Sequence, residues 1–392
     1  MMNDIKLKEI AIVGGGPGGL TLARLLEKRG IRVTVYERDV NKDVRVQGAT
    51  LDLHEESGLA ALREAGLMAA FEANYRPGAD RVRIMDKHAV ILLDEHVNAK
   101  NEFSRPEIDR GPLRKILLDA LDAETVCWDS HLIRLVKDGG RWRLEFQNGS
   151  VAFADLVIAA DGANSRIRPL VTSLGALYSG VTGVEGTIYH SETAAPQIHA
   201  LLKGGKIFAF GDEKSLIVGA KGDGSLQFYT GCKTAESWWR DSGIDFTDKA
   251  QVLAWFAAGF SGWDPVWLEL FEQAEPRFVP RPMYHMPLDQ QWEALPDLTL
   301  LGDAAHLMPP YAGEGVNMAM LDALELSVCL TDQRFPDTKA AIAAYEKQMR
   351  ARAAETAAVT LEQTASLHSP RAIADMMALF GIEPAQDSVA EN

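Results

Sequence analysis

Apolar positions along the chain follow two distinct patterns. Near the start, Glu9 to Val13 is a short apolar run, Leu20 to Lys28 places Leu20, Ala23 and Leu25 or Leu26 on one helical face, and Arg32 to Tyr36 reads as a second strand. Leu298 to Leu301 and the run from Asp155 repeat the buried-strand signature far downstream. Between these segments the pattern changes. Lys206 to Phe210, Leu216 to Ala220 and Leu226 to Gly231 alternate between Gly, Asp and Lys turns, which predicts antiparallel strands, and Arg81 to Leu93 adds a hairpin to the same region. From Asp337 to Leu367 an alanine-rich run with i,i+4 charges predicts one long helix. Ser369-Pro370 breaks it before a short helix at Arg371 to Phe380, and the polar tail Glu383 to Asn392 is expected to fray.

The turn between the first strand and helix reads Gly14-x-Gly16-x-x-Gly19. Glycines there allow a tight turn, close approach of a pyrophosphate and close helix packing, while the helix N-terminus offers an anion site. Glu37 ends the second strand at about the ~20-residue distance where an acid accepts ribose hydroxyls, and Arg38 follows it. A carboxylate at that position repels a phosphate, so the turn suits FAD or NAD rather than NADP.

The second half decides between the two. Gly302-Asp303 ends the apolar run Leu298 to Leu301 and puts a carboxylate where a ribityl or ribose hydroxyl can donate to it. Pro309 and Pro310 stop regular structure, and Gly313-Glu314-Gly315 opens a helix whose first amides, running on to Val316 and Asn317, suit an anionic reduced flavin. A third segment, Asp155 to Arg168, ends its strand in Asp161-Gly162, for which an ordinary strand end and a cofactor contact are equally good readings. A long cofactor that returns to the sheet after a separate substrate region points to FAD. The predicted fold is α/β, with a discontinuous Rossmann-type FAD-binding domain over 1–76, 107–174 and 289–330. A mostly antiparallel β-sheet substrate domain is inserted over 77–106 and 175–288, and long C-terminal helices over 337–382 bridge the two.

With these motifs in place, the chain resembles the FAD-dependent aromatic hydroxylases, or class A flavoprotein monooxygenases, over nearly its whole length. Arg45 to His54 (RVQGATLDLH), Ile108 to Leu117 (IDRGPLRKIL) and Gly302 to Asn317 (GDAAHLMPPYAGEGVN) look most like the tetracycline-inactivating monooxygenases. The resemblance implies that Arg45 meets NADPH near the flavin, that Asp52 and Arg114 contact FAD, and that Gly313 to Val316 line the space between flavin and substrate. Solvated arginines at 45 and 114, and an Asp52 that caps a helix starting near Glu55, are the alternative readings. In the positions where the tetracycline enzymes use Gln, Arg and His toward substrate, this chain carries Glu185, Lys206 and Gln227, so all three polar groups differ. Asp161 and Glu314 likewise stand where those relatives are uncharged. The implied reaction is hydroxylation of an aromatic or enolic small molecule, a tetracycline-type antibiotic among the candidates, through a flavin hydroperoxide with NADPH and O2 as co-substrates. NADPH would reach the flavin from solvent, with Gly48 and Gly313 permitting flavin movement. The flavin carries the chemistry, so no catalytic residue is assigned, His306 beside the Pro-Pro turn included.

Composition narrows the partners. The 392 residues are 47% hydrophobic and 24% charged with a net charge of −15 and no basic block, which disfavours nucleic acid, anionic membrane surfaces and anionic bulk substrates. Cys127, Cys232 and Cys329 show no CxxC spacing and fit reduced buried thiols. No secretion signal or membrane span is expected, and a cytoplasmic monomer with a phenolic or aromatic substrate is the expectation. A flavin oxidase or reductase would share every cofactor motif and stays open. A halogenase would need a lysine and a tryptophan-rich signature after the first helix, which are not found, and a nucleotide sensor would have no use for Asp303 and Gly313 to Asn317.

Overall fold

The computed structural model describes residues 5, 8–44, 48, 50–97 and 105–382. The chain divides into two compact units, the first Met1–Arg76, Ser104–Leu177 and Tyr284–Thr360, the second Pro77–Phe103, Tyr178–Met283 and Leu361–Asn392.

The first unit is built on a five-stranded sheet ordered Leu298–Leu300, Leu156–Ala159, Ile10–Val13, Val33–Tyr36 and Val126–Cys127, every pairing parallel. The central strands Ile10–Val13, Leu156–Ala159 and Leu298–Leu300 are buried along their whole length. Buried on both faces, such strands read as continuous apolar runs, which is how they stand out in the sequence. Helices Pro17–Lys28 and Gly315–Thr331 pack closely through small residues: a Cβ added at Gly18 would lie 3.0 Å from the Ala319 carbonyl oxygen. A three-stranded antiparallel sheet, Leu132–Asp138, Arg141–Phe146 and Val151–Ala154, and a two-stranded pair, Leu51–Asp52 with Glu107–Ile108, complete the unit.

The second unit carries a seven-stranded sheet ordered Val279–His285, Leu177–Ile188, Leu226–Lys233, Lys214–Ala220, Lys206–Gly211, Val82–Asp86 and Ile91–Asp94. The pairings are antiparallel from Leu177–Ile188 through to Lys206–Gly211, whereas Lys206–Gly211 and Val82–Asp86 run parallel. One face of this sheet, with Val184, Phe228, Val218 and Ile207, packs on the helices Lys249–Gly259 and Leu268–Gln273, where Phe256 and Phe271 stack at 4.0 Å. Each such aromatic contributes about 1.5–3 kcal/mol through burial. Trp267 is buried in a 3-10 turn, and Trp263 sits in a bend. The alanine-rich run forms a helix at Thr338–Leu367, followed by Ala372–Leu379. Among the described residues no helix is long and apolar enough to cross a membrane. The three cysteines are free thiols, and burial pushes the Cys232 thiol up to about 12.

Candidate functional site

The glycine turn is held from both sides by backbone. Gly14 has φ 112, and a Cβ there would meet the Ala160 carbonyl oxygen at 2.2 Å. At Gly19 a Cβ would lie 2.1 Å from the Gly14 carbonyl oxygen, so both positions require glycine on packing grounds alone. Gly16 differs. It is the N-cap of the helix Pro17–Lys28 in ordinary extended backbone, and an added Cβ would meet nothing within 4 Å. Glu37, only 3% exposed, binds the turn directly: one carboxylate oxygen accepts from the Gly15 amide at 2.6 Å and the other from the Asp39 amide at 3.0 Å. Arg38 is exposed. Asp39 in turn pairs with the buried Arg114 at 3.0 Å, and the Arg114 guanidinium lies 5.4 Å from the Trp128 ring centre. The Arg114 Nε is buried with no hydrogen-bond partner.

The second half of the site starts at Gly302, whose φ 60 and ψ −145 are open only to glycine. Asp303 follows at the head of the short helix Asp303–His306. Its side chain is solvent-accessible, and the protein packed around it raises its pKa, with His306 and Arg110 opposing. Two buried groups fix this segment. Arg168 donates to the carbonyls of Ala304 and Ala305 at 3.1 and 2.8 Å and to Gln290 at 2.8 Å. Asp322 accepts from the Gly302 amide at 2.9 Å and from His306 Nε2 at 2.5 Å, and it pairs with Arg352 at 2.7 Å. Sequence reading missed this network, although a carboxylate in the middle of the apolar stretch Gly315 to Thr331 was the signal for it.

The third cluster joins Asp52 to the start of the helix Gly315–Thr331. The first helix after Asp52 begins at Gly58, and Asp52 lies in a two-residue strand, so it is no helix cap. Asn317 stitches the segments together: its amide oxygen accepts from the His54 amide at 2.9 Å and the Ser57 hydroxyl at 3.2 Å, and its Nδ2 donates to the Asp52 carbonyl at 2.9 Å. Gly313 has φ 71, and a Cβ there would crowd the Asp52 carboxylate at 3.0 Å. Pro310 opens the 3-10 turn Pro310–Ala312, Gly315 is the first helical residue, and Val316 is half-buried. His54 lies between Asp52, Arg105 and Glu314, a charged group that motif reading did not assemble. Asp161 accepts from the Arg166 amide at 2.9 Å; its other oxygen is buried without a partner, and burial pushes its pKa up. Arg45 lies outside the described residues.

In the second unit, strand register settles which face each candidate occupies. Glu185 is opposite Tyr229, Gln227 opposite both Thr187 and Gly219, and Gly219 opposite Lys206, so Glu185, Lys206 and Gln227 share one face of the sheet. Phe208, Ile217 and Tyr229 alternate onto that same face, away from the aromatic core. Glu185 does not face water alone: Arg281 Nε binds one carboxylate oxygen at 2.7 Å and the Gln227 amide donates to the other. The Gln227 carbonyl oxygen is buried without a partner.

This chain matches the family model described as "FAD binding domain" over residues 8–187 and 296–360, and it belongs to that family. Monooxygenase asqM of Emericella nidulans is 29% identical over 370 residues, covering 81% of this chain and 83% of that protein. Among solved structures, HpxO of Klebsiella pneumoniae, complexed with FAD and uric acid, superposes with a TM-score of 0.73 at 23% identity, covering 95% of this chain and 92% of that one. The tetracycline destructase Tet(55) gives 0.72 at 20% identity, covering 94% and 91%. At those identities the two structures speak to the fold. The fold class expected from the sequence is borne out, and the protein is an FAD-dependent monooxygenase of the aromatic hydroxylase family, a class that uses NADPH and O2 as co-substrates.

Proposed function

We propose that the chain hydroxylates an electron-rich aromatic or enolic small molecule, with FAD held by the first unit and the substrate engaged by the seven-stranded sheet. The observation that carries the cofactor half is Gly16: the open space beside its Cα, at the mouth of a helix N-terminus, is what a diphosphate needs. Two buried, unpartnered polar atoms, Arg114 Nε and Asp161 Oδ1, support the same reading. Gly14, Gly16 and Gly19 would shape the diphosphate cradle, Glu37 with Arg38 would take the adenosine ribose, and Arg114 would add its cation. Glu37 has acceptor capacity for this, because an ionised carboxylate offers about four lone-pair sites and the two backbone amides occupy two. Asp303 would accept from the ribityl chain. Asp52, Pro310 and Gly313 to Asn317 would border the isoalloxazine, with the helix dipole at Gly315 favouring negative charge there. When bound, FAD supplies the hydride acceptance and oxygen activation. Arg45 is proposed to meet NADPH.

On the sheet, Lys206 and Gln227 set among Phe208, Ile217 and Tyr229 suit a planar molecule bearing an ionisable hydroxyl: the rings give it an apolar bed and the cation favours its oxyanion. Glu185 is already engaged by Arg281 and Gln227, which argues against its receiving a substrate cation such as a dimethylammonium. The tetracycline-type reading rests on the motif resemblance and is tested directly. Aerobic NADPH oxidation is measured with tetracycline and with simple phenols and hydroxypyridines, followed by product mass. A gain of one oxygen atom with any of them supports hydroxylation and names the class. NADPH consumption that yields only hydrogen peroxide with every compound points to an oxidase instead.

One variant checks the cofactor half. Arg114→Met keeps the stem's apolar volume and removes the cation, and it is expected to weaken FAD about tenfold, or ~1.4 kcal/mol. Fluorescence titration of the apoprotein measures it. Unchanged affinity would remove Arg114 from the cofactor site.

A further inference from the structure

The N-terminus of the helix Gly315–Thr331 carries more than a dipole, and its further role rests on the reading that it borders the flavin. Glu314 occupies the N-cap position without a side-chain capping bond, and its carboxylate lies 3.4 Å from His54 Nδ1. On the far side of the ring, Arg105 brings two nitrogens to His54 Nε2, at 2.7 and 3.2 Å, and Asp52 approaches both Nε2 and Arg105, at 3.2 and 3.3 Å. A guanidinium only donates. His54 Nε2 is therefore the acceptor and the ring proton sits on Nδ1, facing Glu314. In formal charge, Arg105 offsets Asp52, the imidazole is neutral, and Glu314 keeps one negative charge, with the Glu56 carboxylate adding to the local field. That charge opposes any further negative charge placed at the same helix end.

We propose that Glu314 and His54 form a proton-accepting pair coupled to reduction of the flavin. Hydride transfer from NADPH would bring two electrons and one proton to bound FAD, and so would add one negative charge beside this helix end. The new negative charge then draws one further proton from water onto the pair, whose net charge goes from −1 to zero. Its surroundings favour uptake: enclosure pushes the Glu314 carboxyl up, the Arg105 cation opposes this, and Asp52 and Glu56 reinforce it. The pair thus lets the helix end hold a reduced flavin without two adjacent negative charges.

The test is the midpoint potential of the FAD-loaded protein against pH, by spectroelectrochemistry, for wild type, Glu314→Gln and His54→Gln. In a two-electron couple each proton taken up is worth about 30 mV per tenfold change in proton concentration. Wild type is expected to fall by about 60 mV per pH unit around neutrality, two such steps, and either variant by about 30 mV. Equal slopes in all three proteins overturn the proposal. Gly315→Val separates this from the underlying placement, because an added Cβ has room, its nearest neighbour being Asp303 Oδ1 at 4.0 Å. If Gly315→Val leaves the flavin absorption band and FAD affinity unchanged, the helix end does not border the flavin. If it shifts them while the slopes stay equal, only the pair's role is wrong.

Discussion

Gly16→Ala is expected to yield a protein that folds as wild type but holds FAD at least about tenfold more weakly, whereas Gly19→Ala loses both stability and cofactor. The two glycines lie three residues apart in one turn, yet their surroundings differ. A methyl group at Gly19 would sit 2.1 Å from the Gly14 carbonyl oxygen, a separation that only displacement of backbone relieves. The helix Pro17–Lys28 has little freedom to retreat, because Gly18 already faces the Ala319 carbonyl. Overpacking of this kind costs about 1–3 kcal/mol. At Gly16, with φ −79 and ψ 178, alanine enters without strain and its methyl points into open space, so the apoprotein has no reason to change. A diphosphate on the helix N-terminus would need that space. Apoprotein melting and FAD titration of both variants give the comparison. Normal FAD affinity in Gly16→Ala would show that the diphosphate does not approach this turn.

Elements whose signal is local were readable from the sequence. The fully buried parallel strands appear as unbroken apolar runs, the substrate-sheet strands as alternations between turns, and the glycine turn as a spacing fixed by backbone sterics. The groups that tie these elements together were not readable, because each depends on partners brought close only by folding. Glu185 looked like a substrate-facing charge, and only strand register and the pairing with Arg281, ninety-six residues on, show it held within its own sheet. His54 and Glu314 belong to segments that each looked like part of a cofactor motif, and their approach depends on Asn317 bonding back to Asp52 and His54. The sheet Leu132–Asp138, Arg141–Phe146 and Val151–Ala154 was not predicted, since its many charged positions obscure the alternation of Trp142, Leu144 and Phe146.

The buried network behind Asp303 should give the largest stability effect. Asp322→Asn preserves shape but removes the charge that His306 and Arg352 share in the interior, where Asp322 is fully buried and His306 3% exposed. Breaking a buried pair by removing one partner costs about 3–5 kcal/mol, since the remaining charge is left uncompensated. The loss should depend on pH in a defined direction. Burial disfavours a charged His306, but the charge and hydrogen bond of Asp322 outweigh it and raise the pKa above the ordinary ~6.5. The stability His306 gains is thus fully present below about pH 6.5 and is lost as pH rises through its folded-state value. For Asp322, burial alone would raise the pKa, but His306, Arg352 and the Gly302 amide hold it below the ordinary ~3.9, so its contribution is present above that and lost as pH falls. The stability gap between wild type and Asp322→Asn should therefore be widest in the mildly acidic range and narrow on the alkaline side. Denaturant unfolding of both proteins from pH 5 to 9 measures it, and a gap constant across that range would mean that His306 is not a protonated partner of Asp322. Because Asp322 also holds the Gly302 amide, the same variant should loosen the turn that presents Asp303 and weaken FAD retention even at the pH where the stability gap is smallest.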